Sequence, residues 1–176
     1  MKNLVEQSKN GNTFAFTELI LNYKEDLYRI AKMRLDNNYD IDDAVQETML
    51  EAFSSIKRLK KNEYFKTWLI KILLNKCNKI YFKNKRQRLL NNNLSSDTPN
   101  VTGTISDMES DLGFYSLIAI LNYNERIVMI LYYVYEYTIK DISRILKTNE
   151  NTIKTRLARG KEKIKVKGGL VNGWTR

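Results

Sequence analysis

Between Asn12 and Thr98 the sequence contains neither glycine nor proline, a run of 87 residues. A β protein of that length would need turn residues several times over. Apolar residues recur instead at three- and four-residue spacing, so the run reads as long helices. Four are expected before residue 90. A short one covers Lys2 to Asn10 and stops at Gly11. A long one runs from Thr13 to Leu35, with Phe16, Leu19, Ile20, Tyr23, Leu27, Ile30 and Ala31 inward. A third starts at Asp40 as its N-cap and buries Ile41, Ala44, Val45, Met49, Ala52, Phe53 and Ile56. A fourth spans Tyr64 to Arg86, with Phe65, Trp68, Leu69, Ile72, Leu73 and Ile80 apolar.

Composition then shifts. The stretch NNNLSSDTPNVTGTISDMESD is rich in Asn, Ser, Thr and Asp, holds the only proline, Pro99, and carries no Lys or Arg. It reads as a flexible linker. Helical patterning returns near 112–121, 124–136, 138–146 and 150–166, and the tail KGGLVNGWTR is expected to fray. The fold class is therefore all-α: a helical domain over 1–88, an acidic flexible linker over 89–111, a second helical domain over 112–167 and a tail over 168–176.

The absence of histidine excludes Ser-His-Asp and Cys-His catalysis and His-ligated metals. The single cysteine, Cys77, permits no intramolecular disulfide, which fits a reducing compartment. The start MKNLVEQSKNG lacks a signal-peptide core, and the longest strongly apolar run, Ile127 to Tyr135, is nine residues, far short of the ~20 of a membrane span. A soluble cytoplasmic protein is expected. Net charge is +10, which points to a polyanionic partner. Its distribution is sharper. Residues 1–56 are net −4, 57–88 carry 12 basic groups against one acid, 91–115 carry four acids and no base, and 116–176 are net +7. Two basic surfaces flank an acidic connection, and one ligand touched at two places is the simplest reading.

Three constellations carry chemistry. TIKDISRIL, Thr138 to Leu146, reads as a helix capped by Thr138 with Asp141 three residues on, as in a capping box. After Lys147-Thr148-Asn149 comes ENTIKTRLARGKEKIK, a helix capped by Asn149. Packing Ile142, Ile145 and Leu146 against Ile153 and Leu157 gives a helix-turn-helix. It turns Asn151, Lys154, Thr155 and Arg159 outward with Thr152 and Arg156 at the flanks, a set suited to base edges and phosphates. The second is DIDDAVQETMLEAF, Asp40 to Phe53, which leaves Asp43, Gln46, Glu47 and Leu50 on one exposed face. On spacing alone it is a charged helix start favoured by the macrodipole, then a docking face for a basic partner, then a metal site of Asp40, Asp42, Asp43 and Glu47. The third is KRLKKNEYFKTWLIKILLNKCNKIYFKNKRQR, Lys57 to Arg88. Here Asn75, Lys79, Phe82, Lys83 and Arg86 share a face with Lys76 beside them, and Tyr64, Phe65 and Trp68 stand where a basic loop (Lys57, Arg58, Lys60, Lys61) enters the helix, followed by Lys66. Basic groups interleaved with aromatics suit single-stranded nucleic acid, although Trp68 reads largely as core.

In this order the constellations resemble the two-domain sigma factors of the extracytoplasmic-function group, which direct bacterial RNA polymerase to promoters. The acidic stretch is similar to the family's D-x-E-D-x-x-Q-E-x-F motif through Asp40, Asp43, Gln46 and Glu47, with Asp42 and Met49 as variants. FKTWLIKILLNK is similar to F-x-x-W-L-x-x-I-x-x-N through Phe65, Trp68, Leu69, Ile72 and Asn75. The T-[VI]-K-x-R-x-x-R core of the −35-binding helix-turn-helix is matched by Thr152, Ile153, Lys154, Arg156 and Arg159. Lys79 and Phe82–Lys83 depart from the pattern, as do Lys147 at the usual turn glycine and Thr148 after it.

The resemblance implies a sigma factor with no catalysis of its own and no cofactor, metal or small-molecule substrate. Asp40, Asp43, Gln46, Glu47 and Leu50 would dock on the β′ clamp helices of core RNA polymerase. Lys57, Arg58, Lys60, Lys61, Tyr64, Lys66, Asn75, Lys76, Lys79, Lys83 and Arg86 would hold the opened −10 element. Asn151, Thr152, Lys154, Thr155, Arg156 and Arg159 would read −35. An anti-sigma protein is an expected partner. Elements two helical turns apart lie ~70 Å apart, and the linker can stretch to roughly 75 Å. The competing readings are a stand-alone helix-turn-helix repressor or activator and, behind it, a metal-dependent nuclease using the Asp40 cluster.

Overall fold

The computed structural model describes residues 2–90 and 117–168, and their regular elements are all helical. The chain divides into two compact units, Met1–Pro99 and Asn100–Arg176. Most of the expected linker and tail, residues 91–111 and 169–176, lies outside the described residues, as do residues 112–116 of the helix expected at 112–121; of its remainder only Leu117 and Ile118 are helical, and 119–121 form a turn. No helix among the described residues is long and apolar enough to cross a membrane.

The first unit opens with α1 (Lys2–Lys9) and α2 (Thr13–Leu21). Gly11 lies between them at φ +93°, a conformation glycine adopts without strain. Asn12 then caps α2 by accepting from the Ala15 N–H. The single helix expected from Thr13 to Leu35 is two. It breaks at Asn22–Tyr23, and α3 covers Lys24–Lys32. Asn22 is a residue common in turns, and Tyr23 sits at φ −115°, ψ −2°, a bridge-region geometry open to ordinary residues. The bend lays the Tyr23 ring against Phe65, centroids 5.6 Å apart.

Helix α4 covers Asn38–Ser55, and its N-cap is Asn37 rather than Asp40. Asn37 is extended, its Oδ1 accepts from the Asp40 N–H at 2.8 Å, and its Nδ2 donates to Asp40 Oδ2. Asp40 therefore sits in the first turn. Two 3-10 turns, Ile56–Arg58 and Asn62–Tyr64, lead into α5 (Phe65–Leu90). The core gathers Leu19, Leu27, Ile30, Ala44, Ile56, Leu69, Ile70 and Leu73. Met49, Trp68 and Ile80 are only half-buried, and Phe53, expected inward, is 48 % exposed with its ring edge against Phe16.

The second unit is built on α6 (Tyr123–Tyr133), in which Glu125 to Leu131 are all buried. Asn122 and Glu125 form a capping box. Buried Arg126 donates to the carbonyls of Ile118, Ala119 and Leu121, which closes the preceding turn. Glu125 accepts from Lys163 at 2.8 Å on both oxygens. Helices α7 (Ile139–Leu146) and α8 (Glu150–Gly168) follow. Gly160 lets α8 close on α6, because a Cβ there would stand 3.2 Å from the Met129 side chain.

Candidate nucleic-acid and docking surfaces

The helix-turn-helix caps form as the sequence indicates. Thr138 accepts from the Asp141 N–H at 3.1 Å, and Asn149 from the Thr152 N–H at 2.7 Å. The Asp141 carboxylate accepts the Thr138 hydroxyl. Lys147 makes the turn in the left-handed region (φ 50°, ψ 45°), with its N–H on the Ser143 carbonyl. Ile142, Ile145, Ile153 and Leu157 are buried. That fixes the roll of α8. Asn151, Lys154, Thr155 and Arg159 are exposed and Thr152 and Arg156 half-buried, so all six lie on or beside one convex basic surface.

On the first unit the acids diverge. Asp40 accepts from Asn84 at 2.6 Å, and Asp42 from the Tyr28 hydroxyl at 2.7 Å. Glu47 and Glu51 share the Lys76 ammonium at 3.0 and 2.9 Å. The hydrogen bond from Lys76 holds the Glu47 carboxyl below its ordinary value, and those to Glu51 and Glu47 raise Lys76. Among the described residues no three Asp, Glu or Cys side chains are placed to hold a metal ion.

What remains open on α4 is a stripe. Asp43 and Gln46 are exposed and Leu50 is 70 % exposed. At the same spacing the stripe gains Tyr39, 89 % exposed, and Phe53, both missed by the sequence reading. Residues 39, 43, 46, 50 and 53 follow a four-three-four-three rhythm, and the face is about 21 Å long at 1.5 Å per residue. The sequence pattern starts the helix at Asp40, which leaves Tyr39 outside it, whereas α4 begins at Asn38. Phe53 stands about 120° around the helix from Ile41, a spacing that could have placed it outside.

The basic surface beside it has two parts. In the turn before α5, Lys57, Arg58, Lys60 and Lys61 are exposed around buried Leu59. The turn is tied to α1, where Asn62 accepts from Lys9 at 3.1 Å and donates to Glu6 at 2.6 Å. Tyr64 is exposed, with the Lys61 ammonium 5.8 Å from its ring centre. Lys66 is turned to Asp26 at 3.2 Å. Along α5, Asn75, Lys79, Lys83 and Arg86 are exposed on one face. Lys76 is not with them. It comes seven residues after Leu69 and three after Leu73, a core-side spacing, and it points at α4. Cys77 is buried and its thiol is pushed up to about 12 by desolvation, which makes it inert.

Comparison with known proteins follows the same division. The family model of Sigma-70 region 2 matches residues 19–87, and that of Sigma-70 region 4 matches residues 112–164. The chain is 27 % identical over 147 residues to the RNA polymerase sigma factor SigV of Bacillus subtilis, covering 84 % of this chain and 87 % of the relative. It is 25 % identical to the extracytoplasmic-function sigma factor SigW of the same organism, covering 94 % and 95 %. Among solved structures, the sigma factor RpoE of Bartonella quintana, crystallised with the anti-sigma factor NepR, superposes with a TM-score of 0.70 at 21 % identity, covering 88 % of this chain and 97 % of that one. CnrH, solved with the cytosolic domain of CnrY, gives 0.66 at 21 % identity and 96 % of both chains. These two likenesses are likenesses of fold.

Proposed function

The chain belongs to the extracytoplasmic-function group of sigma-70 factors, and from that premise we propose how its surfaces divide the work of transcription initiation. It is an alternative sigma factor, and its partners are core RNA polymerase, promoter DNA and an anti-sigma protein. It acts in the cytoplasm, and bond making belongs to the polymerase.

The α4 stripe is the polymerase-docking face. Asp43, Gln46 and Leu50 make the contact, and Glu47, steadied by Lys76, supplies a second carboxylate. Asp40 supports the face from the first turn through its bonds to Asn37 and Asn84. An acidic stripe with an apolar centre fits a basic helical partner, since charge steers the encounter and the apolar anchor holds it.

The −10 surface is the Lys57–Tyr64 turn with α5. Lys57, Arg58, Lys60 and Lys61 surround the place where an unstacked non-template base is taken up, and Tyr64 offers a ring for stacking. Unstacking costs a few kcal/mol, which stacking at ~1–3 kcal/mol per base and phosphate pairing offset. Asn75, Lys79, Lys83 and Arg86 carry the strand and adjoining duplex along the helix. Lys66 and Lys76, held by Asp26 and by Glu47 and Glu51, position these elements from beneath. Asn151, Thr152, Lys154, Thr155, Arg156 and Arg159 read the −35 element from the major groove.

The observation that carries this division is the exposed Asp43-Gln46-Leu50 stripe on α4 beside the open cations of α5, within the region 2 match. It is tested by titrating fluorescently labelled chain with core RNA polymerase. Asp43→Lys with Leu50→Ala should weaken assembly at least tenfold and leave DNA binding by the chain alone unchanged. Assembly at wild-type affinity would overturn the docking assignment.

A further inference from the structure

We propose that Phe82 is a specificity residue that reads a thymine methyl group in duplex promoter DNA; the inference rests on the promoter-binding function above. A single exposed apolar residue needs no special account, but Phe82 is an open ring in the middle of the basic face of α5. It is 62 % exposed on α5, seven residues beyond Asn75, and Lys79, Lys83 and Arg86 are exposed around it at three, one and four residues' distance. An apolar ring is thus set among cations that select a polyanion.

The ring is also held. It meets Tyr81 edge-on, centroids 5.5 Å apart at 76°. The guanidinium of buried Arg34 lies 3.6 Å from the Tyr81 ring centre and 5.6 Å from that of Phe82. The ring is braced on one side by Tyr81 and Arg34 while most of its surface stays open, which limits the side-chain entropy lost on contact.

The chemistry of DNA narrows what such a ring can meet. Phosphates and sugars engage the neighbouring cations. On base edges the apolar group offered in the major groove is the C5 methyl of thymine, and phenylalanine is among the side chains suited to it. Phe82 stands on the outer, convex side of a helix, opposite Leu69 and the core. A convex helical ridge fits a groove about 12 Å wide better than it fits around an extruded base. A thymine methyl read by Phe82, between phosphates held by Lys79, Lys83 and Arg86, gives each of these four side chains a partner.

The test uses the full chain with core RNA polymerase and a promoter duplex recovered by that holoenzyme from a randomised pool. Each thymine is replaced in turn by deoxyuridine, which removes only the methyl. For the wild-type chain, one position should lose roughly fourfold in affinity, about what burying one methyl is worth. In Phe82→Ala that loss should vanish, and in Phe82→Leu, which keeps an apolar contact, part of it should remain. Equal uracil penalties in wild type and Phe82→Ala at every thymine would overturn the assignment, even if Phe82→Ala binds all duplexes more weakly. Recovery of no duplex would overturn the promoter-binding reading itself, and this inference with it.

Discussion

Replacing Lys147 by glycine should stabilise the second unit, although it deletes a long side chain from the middle of a DNA-binding motif. Lys147 closes α7 at φ 50°, ψ 45°, where a Cβ crowds the following carbonyl at a cost of roughly 1–2 kcal/mol. Its side chain is exposed, so little packing is lost. Glycine removes the strain but adds roughly 0.5–1 kcal/mol of backbone entropy to the unfolded chain. At the middle of both ranges the net gain is about 0.75 kcal/mol. In a unit of this size that raises the melting temperature by about 3–6 °C. Asparagine, which tolerates the left-handed region, should fall between Gly and Lys, and valine should fall below Lys. Hydrogen exchange on the full chain provides the assay, read at the amides of α7 and α8. Protection that is unchanged in Lys147→Gly, or a Val variant as stable as the wild type, would refute the reasoning, because steric strain at φ > 0 is what gives the gain its sign.

Three further outcomes follow from the packing. Lys76→Met should destabilise the first unit by about 1 kcal/mol, since it removes partly exposed ion pairs and leaves Glu47 and Glu51 repelling one turn apart. The sign with pH is fixed by the two shifts. Glu47 lies below its ordinary 4.5, so its share is present above that value and lost as pH falls through the folded pKa. Lys76 lies above its ordinary 10.5, so its share is present below that value and lost as pH rises through the folded pKa. The difference between wild type and variant, measured by urea unfolding, should be flat between these limits and shrink at both ends; a difference that grows there would contradict the ion-pair account. Arg126→Met should cost about 3 kcal/mol by denaturant melting, because three carbonyls lose their donor inside the fold. Asn62→Ala should leave global stability within about 1 kcal/mol of wild type yet raise exchange and proteolysis in the Lys57–Tyr64 turn, whose tie to α1 it cuts; unchanged protection there would show that buried Leu59 alone holds the turn.

The parts of the fold that sequence could disclose are those set by local chemistry. A chain without glycine or proline over 87 residues has little but helix open to it, and Thr138 and Asn149 announce the starts of α7 and α8 because their oxygens satisfy N–H groups three residues on. The break at Asn22–Tyr23 left no such mark, since what holds it is the contact of Tyr23 with Phe65, 42 residues away. The cap of α4 was misplaced because Asn37 and Asp40 are both good caps and their reciprocal hydrogen bond decides between them only in three dimensions. Among the site residues, Asn151, Lys154, Thr155 and Arg159 face out because a tight hairpin allows one roll of α8. Lys76 adjoins the face of Asn75 and Lys79 in sequence, whereas its register with Leu69 and Leu73 turns it to Glu47 and Glu51 on a different helix. Tyr39 precedes the acidic stretch that marks α4 and Phe53 closes it as an expected core residue, and only the folded helix joins both to the exposed face.

The central claim is that this chain turns core RNA polymerase into a promoter-specific enzyme, and run-off transcription tests it most directly. Core polymerase is supplied with a template carrying a duplex selected by the holoenzyme, with and without the purified chain. The account predicts a discrete transcript that requires the chain, weakens with Asp43→Lys and is lost when Lys154 and Arg159 are both changed to Ala. No chain-dependent transcript, together with tight, salt-sensitive binding of duplex DNA by the chain alone, would contradict it and leave a free-standing helix-turn-helix regulator in its place.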